Sequence, residues 1–152
     1  MIFQKRHYCP LLKSKLYILS DLFEFHHIGV ATDDMGMAKE FYLKIGYEAD
    51  EETEVPSQKV RVCFLTKSGQ PQIELITSSG DNSPVLNILK KCGSGPYHFC
   101  YSVRNMAEAI EYLRRERFVI LFKPEESNAI ENNNITFAYK KSIGLIEIVE
   151  IV

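Results

Sequence analysis

With 152 residues, 45% of them apolar and 25% charged, the chain is large enough for one compact domain or for two small modules sharing a core, and its composition argues against extensive disorder. A net charge of −2 with no basic stripe argues against a nucleic-acid binder, and no run of about 18 apolar residues offers a membrane span. Cys9, Cys63, Cys92 and Cys100 form no CxxC pair and read as reduced thiols, so the cytoplasm is the expected location.

Residues 1–23 read as an N-terminal extension, because Lys13 and Lys15 interrupt the apolar stretch that a signal peptide would need; the domain is expected over 24–152. Its first strand, His27 to Ala31, alternates His27, Gly29 and Ala31 on one face with Ile28 and Val30 on the other. A helix follows with Asp33 or Asp34 as N-cap, Met37, Ala38, Phe41, Tyr42 and Ile45 as apolar stripe, and Gly46 as stop. Strands are expected at Tyr47–Thr53, Gln58–Thr66 and Gln72–Thr77. Ser83 and Pro84 open a short connecting helix that turns Leu86, Ile88 and Leu89 to the core. From Pro96 the order restarts. Tyr97–Val103 is a strand, Asn105 caps a helix carrying Met106, Ala109, Ile110 and Leu113, and Phe118–Phe122, Ile135–Tyr139 and Leu145–Ile151 are strands, with the Asn132–Asn133–Asn134 run as a loop.

The chain therefore reads as two modules, 25–79 and 96–152, each ordered strand, helix, strand, strand, strand. Two His and two Glu recur with that period: His98 lies 71 residues after His27, and Glu147 lies 73 after Glu74. Each sits in an apolar run where a titratable side chain is costly unless partnered, and a divalent ion suits two imidazoles and two carboxylates together. Alternation turns all four to one face. Ile28 and Val30, Ile73 and Leu75, Phe99 and Tyr101, and Ile146 and Ile148 take the helix side, leaving His27, Glu74, His98 and Glu147 in a helix-free trough. His7 and His26 have no counterpart in the other half and read as surface or packing residues.

With these residues placed, the chain resembles the vicinal oxygen chelate superfamily of glyoxalase-type proteins over residues 25–152, and within it the methylmalonyl-CoA epimerases. The segments that carry the resemblance are Phe25-His26-His27-Ile28-Gly29-Val30-Ala31, Gln72-Ile73-Glu74-Leu75, Asp81-Asn82-Ser83-Pro84, Gly95-Pro96-Tyr97-His98 and Gly144-Leu145-Ile146-Glu147-Ile148. The resemblance implies an α+β fold of paired βαβββ modules forming a curved, mixed, eight-stranded sheet with helices on the convex side. It also implies one divalent ion on His27, Glu74, His98 and Glu147, with Glu147 able to act as a base; the donor set suits Co, Mn, Ni, Zn or Fe(II), and Glu74 is expected as the second base. The activity expected is removal of a proton next to a metal-bound carbonyl of a small acyl thioester. The alternatives are lactoylglutathione lyase chemistry on a hemithioacetal and a non-catalytic small-molecule binder. Dioxygen chemistry fits less well, because Glu74 fills a position it would need vacant. Open sheet edges invite a homodimer. Two departures from the epimerase pattern stand out. Gln58–Leu65 contains no acid, holding Lys59 and Arg61 instead, and Tyr139–Gly144 replaces the usual His-Pro-Lys segment. Lys59, Arg61, Lys140 and Lys141 would serve coenzyme A phosphates if they rim the trough and otherwise form a solvated basic edge, the reading that suits the adjacent pair Lys140 and Lys141 better.

Overall fold

A computed structural model describes residues 22–151. Most of the expected extension, with His7 and Cys9, lies outside the described residues, as does Val152. The first module contains β1 (Glu24–Ala31), α1 (Met35–Lys44), β2 (Glu48–Ala49), β3 (Thr53–Val55), β4 (Val60–Thr66) and β5 (Gln72–Ser78), and α2 (Pro84–Cys92) joins it to the second. The second contains β6 (Gly95–Val103), α3 (Met106–Arg115), β7 (Val119–Ile120), β8 (Glu125–Ser127), a 3-10 turn (Asn128–Ile130), β9 (Asn133–Lys140) and β10 (Gly144–Glu150). No helix among the described residues is long and apolar enough to cross a membrane.

All ten strands belong to one mixed sheet whose main path runs β2-β4-β5-β1-β6-β10-β9-β7. Its centre is the antiparallel seam between β1 and β6, the first strands of the two modules. On either side the pattern repeats: β5 runs parallel to β1 and β10 parallel to β6, while β4 and β9 add antiparallel strands. Ten strands replace the expected eight because the strand after each module helix breaks in two. Ala49 pairs with Leu65 but Thr53 with Val62, so Asp50–Glu52 bulge out of register. In the second module Pro124, which has no N–H to give the ladder, separates β7 from β8. The main path ends in two-residue strands, which leave a partner chain little edge to extend.

Side-chain oxygens start the module helices: Asp34 accepts from the Met37 N–H at 2.9 Å, and Asn105 from the Glu108 N–H at 3.0 Å. The helix α3 buries Met106, Ala109, Ile110 and Leu113 against Ile146 and Ile148, as its stripe predicts. By contrast, α1 buries only Met35 fully, with Ala38 and Tyr42 against Val30, Leu65 and Leu75. The expected stripe residues Met37, Phe41 and Ile45 are exposed by 71%, 58% and 45%. They lie four residues apart on the outer face, so the apolar count of α1 overstates what it packs. Between the modules, α2 sits on the opposite face of the sheet, with Val85 and Ile88 against Ala31, Val60, Val62 and Ile76. Ser83 precedes it as expected, yet its hydroxyl makes no capping bond. Of the three asparagines, Asn132 takes a left-handed turn (φ 60°), while Asn133 and Asn134 begin β9.

Candidate metal centre

The four duplicated residues meet. His27, Glu74, His98 and Glu147 each bring one donor atom into a group whose members lie within 4.8 Å of one another. Nε2 of His27 stands 3.1 Å from Glu74 Oε2, 3.2 Å from Glu147 Oε2 and 3.3 Å from Nε2 of His98. Nε2 of His98 stands 3.6 Å from Glu74 Oε2 and 3.3 Å from Glu147 Oε2. Donor atoms about 2.1 Å from a common ion are separated by roughly 3.0 Å at octahedral angles and 3.4 Å at tetrahedral ones. The observed spacings match that range. All four side chains are buried, so the helix-free trough is closed over them, which sharpens the need for a partner. Among the described residues, Glu147 Oε2, sealed from solvent, has no hydrogen-bond donor of ordinary geometry, so it is an orphaned anion facing two imidazoles. Two imidazoles, two carboxylates and cis spacings together fit a divalent cation.

The electrostatics of the cluster point the same way. Burial alone would lower the pKa of His27, but the Glu147 and Glu74 carboxylates beside its Nε2 outweigh it and raise the value to about 9. Burial likewise opposes the charge on Glu147, yet the His27 and His98 contacts hold its carboxyl well below the ordinary range. Carboxylates of this cluster, then, hold positive charge in place.

The seam between β1 and β6 explains how two large rings fit. Gly29 pairs with His98, and Cys100 with His27, so each imidazole lies across from a small residue of the other module. A Cβ on Gly29 would stand 2.0 Å from Cε1 of His98, so only glycine leaves room for that ring. Two register shifts mark the same strands: His26 is skipped between Phe25 and His27, and Tyr97 between His98 and Pro96. Each bulged residue precedes a ligand candidate. Nδ1 of His26 lies 2.8 Å from Nδ1 of His27, so this half-buried residue packs directly against the cluster. The Tyr97 ring meets His98 edge-on at 4.6 Å, and burial with the nearby Glu74 and Glu147 carboxylates pushes its phenol well above the usual range. Cys100 is buried, and burial with Glu147 and Glu74 pushes its thiol up, which leaves it a packing residue rather than a nucleophile.

Sequence reasoning passed over Phe64 and Phe137, whose rings meet His27 and His98 edge-on at 5.3 and 5.2 Å. Their positions on β4 and β9 face the trough by alternation, and that was the available signal. Beside His98 lies a cavity of about 220 Å³ walled by Val60, Val85, Tyr97, Phe137 and Leu145, with Gln58 as a polar neighbour. The basic residues do not line it. Arg61 is held by Glu52 at 3.1 Å, in the same group as Lys39 of α1, and Lys140 lies over the Phe118 ring at 5.3 Å.

Comparison with known proteins agrees with this architecture. Residues 26–139 match the Glyoxalase/Bleomycin resistance protein/Dioxygenase superfamily. The mitochondrial methylmalonyl-CoA epimerase of Bos taurus is 32% identical over 103 residues, 66% of this chain and 58% of the bovine one. The Homo sapiens counterpart is 27% identical over 126 residues, 82% of this chain and 70% of the human one. Among solved structures, methylmalonyl-CoA epimerase from Mycobacterium tuberculosis superposes with a TM-score of 0.75 at 26% identity, covering 84% of this chain and 87% of that one. A variant of the Streptomyces coelicolor methylmalonyl-CoA epimerase in complex with 2-nitronate-propionyl-CoA gives a TM-score of 0.73 at 26% identity, covering 85% and 97%. The chain thus belongs to the glyoxalase, bleomycin resistance protein and dioxygenase superfamily.

Proposed function

We propose that this protein is a divalent-metal-dependent epimerase that removes and returns a proton at the carbon next to a thioester carbonyl, with a methylmalonyl-CoA-like thioester as substrate. The observation that carries this reading is the buried convergence of two imidazoles and two carboxylates, one of each from either module. A divalent ion held by His27, Glu74, His98 and Glu147 would stabilise negative charge developing on a substrate carbonyl oxygen and so acidify the adjacent carbon.

Glu74 enters from β5 and Glu147 from β10, strands on opposite sides of the β1/β6 seam. That separation supports the reading, since an epimerase needs a base on each side of one carbon. Glu147 takes the proton and Glu74 returns one to the other face, or the reverse for the other epimer. On β4 the trough positions are Val60, Val62 and Phe64, so no third carboxylate comes from that strand and the two Glu must serve both as ligands and as bases. The apolar cavity beside His98 excludes water from the reacting carbon and offers space for an acyl substituent. The dual use of the carboxylates also suits isomerisation of a hemithioacetal, which makes lactoylglutathione lyase chemistry the second reading.

The test is exchange of the substrate α-hydrogen in deuterated water, with methylmalonyl-CoA and with a glutathione hemithioacetal, each with Co, Mn, Ni or Zn supplied. Deuterium uptake with conversion between the thioester epimers is expected. Turnover of the hemithioacetal alone would favour the second reading, and binding of either compound without exchange would make the protein a small-molecule binder.

A further inference from the structure

Resting on the metal reading above, we infer that His26 is a positioning residue of the centre: it accepts a hydrogen bond from Nδ1–H of His27 and so reserves Nε2 of His27 for the cation.

Strict alternation would send His26 to the helix side of β1, away from the cluster. The register shift between Phe25 and His27 cancels that alternation, making His26 the extra residue of a β-bulge and bringing its ring 5.0 Å from that of His27. Two ring nitrogens 2.8 Å apart form a hydrogen bond only if one carries the proton and the other the lone pair. Nε2 of His27 faces Glu74, Glu147 and His98 within 3.3 Å, so it is the nitrogen aimed at the cation site. Once that nitrogen donates its lone pair to a cation, the remaining N–H of His27 is on Nδ1, and Nδ1 of His26 stands in front of it. The Cys100 Sγ, which lies within 4.8 Å of a ring nitrogen of each of these histidines, is a weak acceptor and does not compete.

The second module lacks this device. Its bulged residue is Tyr97, and Nδ1 of His98 has no hydrogen-bond partner among the described residues. The two imidazoles are therefore held differently: His27 by a hydrogen bond from outside the ligand set, His98 by packing between Tyr97, Phe137 and the bare Cα of Gly29. Outer partners of this kind orient the ring, fix its tautomer and raise its basicity.

The test is cobalt(II) affinity of the full chain, read by competition with a chromogenic chelator, for the wild type, His26→Phe and His26→Gln. Phe keeps the bulk of the ring and removes the acceptor; Gln restores an acceptor oxygen. His26→Phe should bind cobalt about 10–100-fold more weakly, the usual loss for an outer partner of a ligating His, while His26→Gln should recover most of that loss. Equal affinity in all three proteins, or an equal loss in both variants, would overturn the inference and leave the metal centre standing. A wild type that binds no cobalt would remove the metal centre and the inference together. Should His26→Phe fail to fold, nitrogen-15 spectra of the zinc-loaded wild type decide the matter: the proton must be on Nδ1 of His27 and on Nε2 of His26, and a proton on Nδ1 of His26 overturns the assignment.

Discussion

The His98 imidazole occupies the space that a Gly29 side chain would fill: a Cβ there would stand 2.0 Å from Cε1 and 2.3 Å from Nδ1 of the ring. A glycine on β1 thus sets the position of a ligand candidate on β6, across the seam that joins the modules. Gly29→Ala should push His98 out of the cluster. Cobalt affinity should fall by at least about 10-fold, and overpacking should cost about 1–3 kcal/mol of stability. Chelator competition and urea denaturation measure the two effects separately.

Replacing Glu74 or Glu147 by Gln keeps an oxygen donor but removes the base. Each variant should retain bound metal while α-hydrogen exchange of the thioester falls by about 10²–10⁴-fold, the usual worth of a general base. Metal analysis beside deuterium uptake checks this, and full exchange in both variants would show that another group moves the proton.

The metal-free protein should respond to pH in a defined direction. The pKa of His27 rises from 6.5 in the unfolded chain to about 9, so its contribution to stability is complete below pH 6.5 and is lost as pH climbs through about 9. Glu147 is depressed from 4.5, so its contribution is present above that value and is lost as pH falls. With respect to this pair the metal-free fold is most stable between pH 4.5 and 6.5. A cation must displace the His27 proton, so apparent metal affinity should rise with pH over the same interval in which metal-free stability declines. Denaturation curves at pH 6 and pH 9.5, with and without zinc, should show opposite trends.

The two module helices should differ sharply in their tolerance of substitution. Leu113→Ala in α3 empties a site that is 3% exposed and should cost about 2–5 kcal/mol. Phe41→Lys in α1 alters a side chain 58% exposed and should change stability by less than about 0.5 kcal/mol. Urea midpoints of the two variants check both values.

The convergence of the four residues was legible in the sequence because two independent regularities coincide on them. Strand alternation sends His27, Glu74, His98 and Glu147 to one face, and the repeat brings the two halves into register. The supporting residues obey neither rule. His26 escaped because a bulge breaks alternation at that residue, and a bulge depends on the pairing of two strands rather than on either one. Gly29 was placed on the correct face, but its purpose is to leave room for a ring from the other module, which no local pattern encodes. In α1 the apolar residues Met37, Phe41 and Ile45 share a helical stripe that the sheet does not reach. Similarly, the break between β2 and β3 reflects register with β4 rather than a turn signal in Asp50–Glu52.

Everything proposed about reactivity depends on both modules contributing donors to one cation, and cobalt(II) titration of metal-stripped protein tests that most directly. Saturation at one ion per chain is expected, with weak binding in His27→Ala, Glu74→Ala, His98→Ala and Glu147→Ala alike. Binding that survives removal of both residues of either module, or saturation at zero or two ions, would contradict the account.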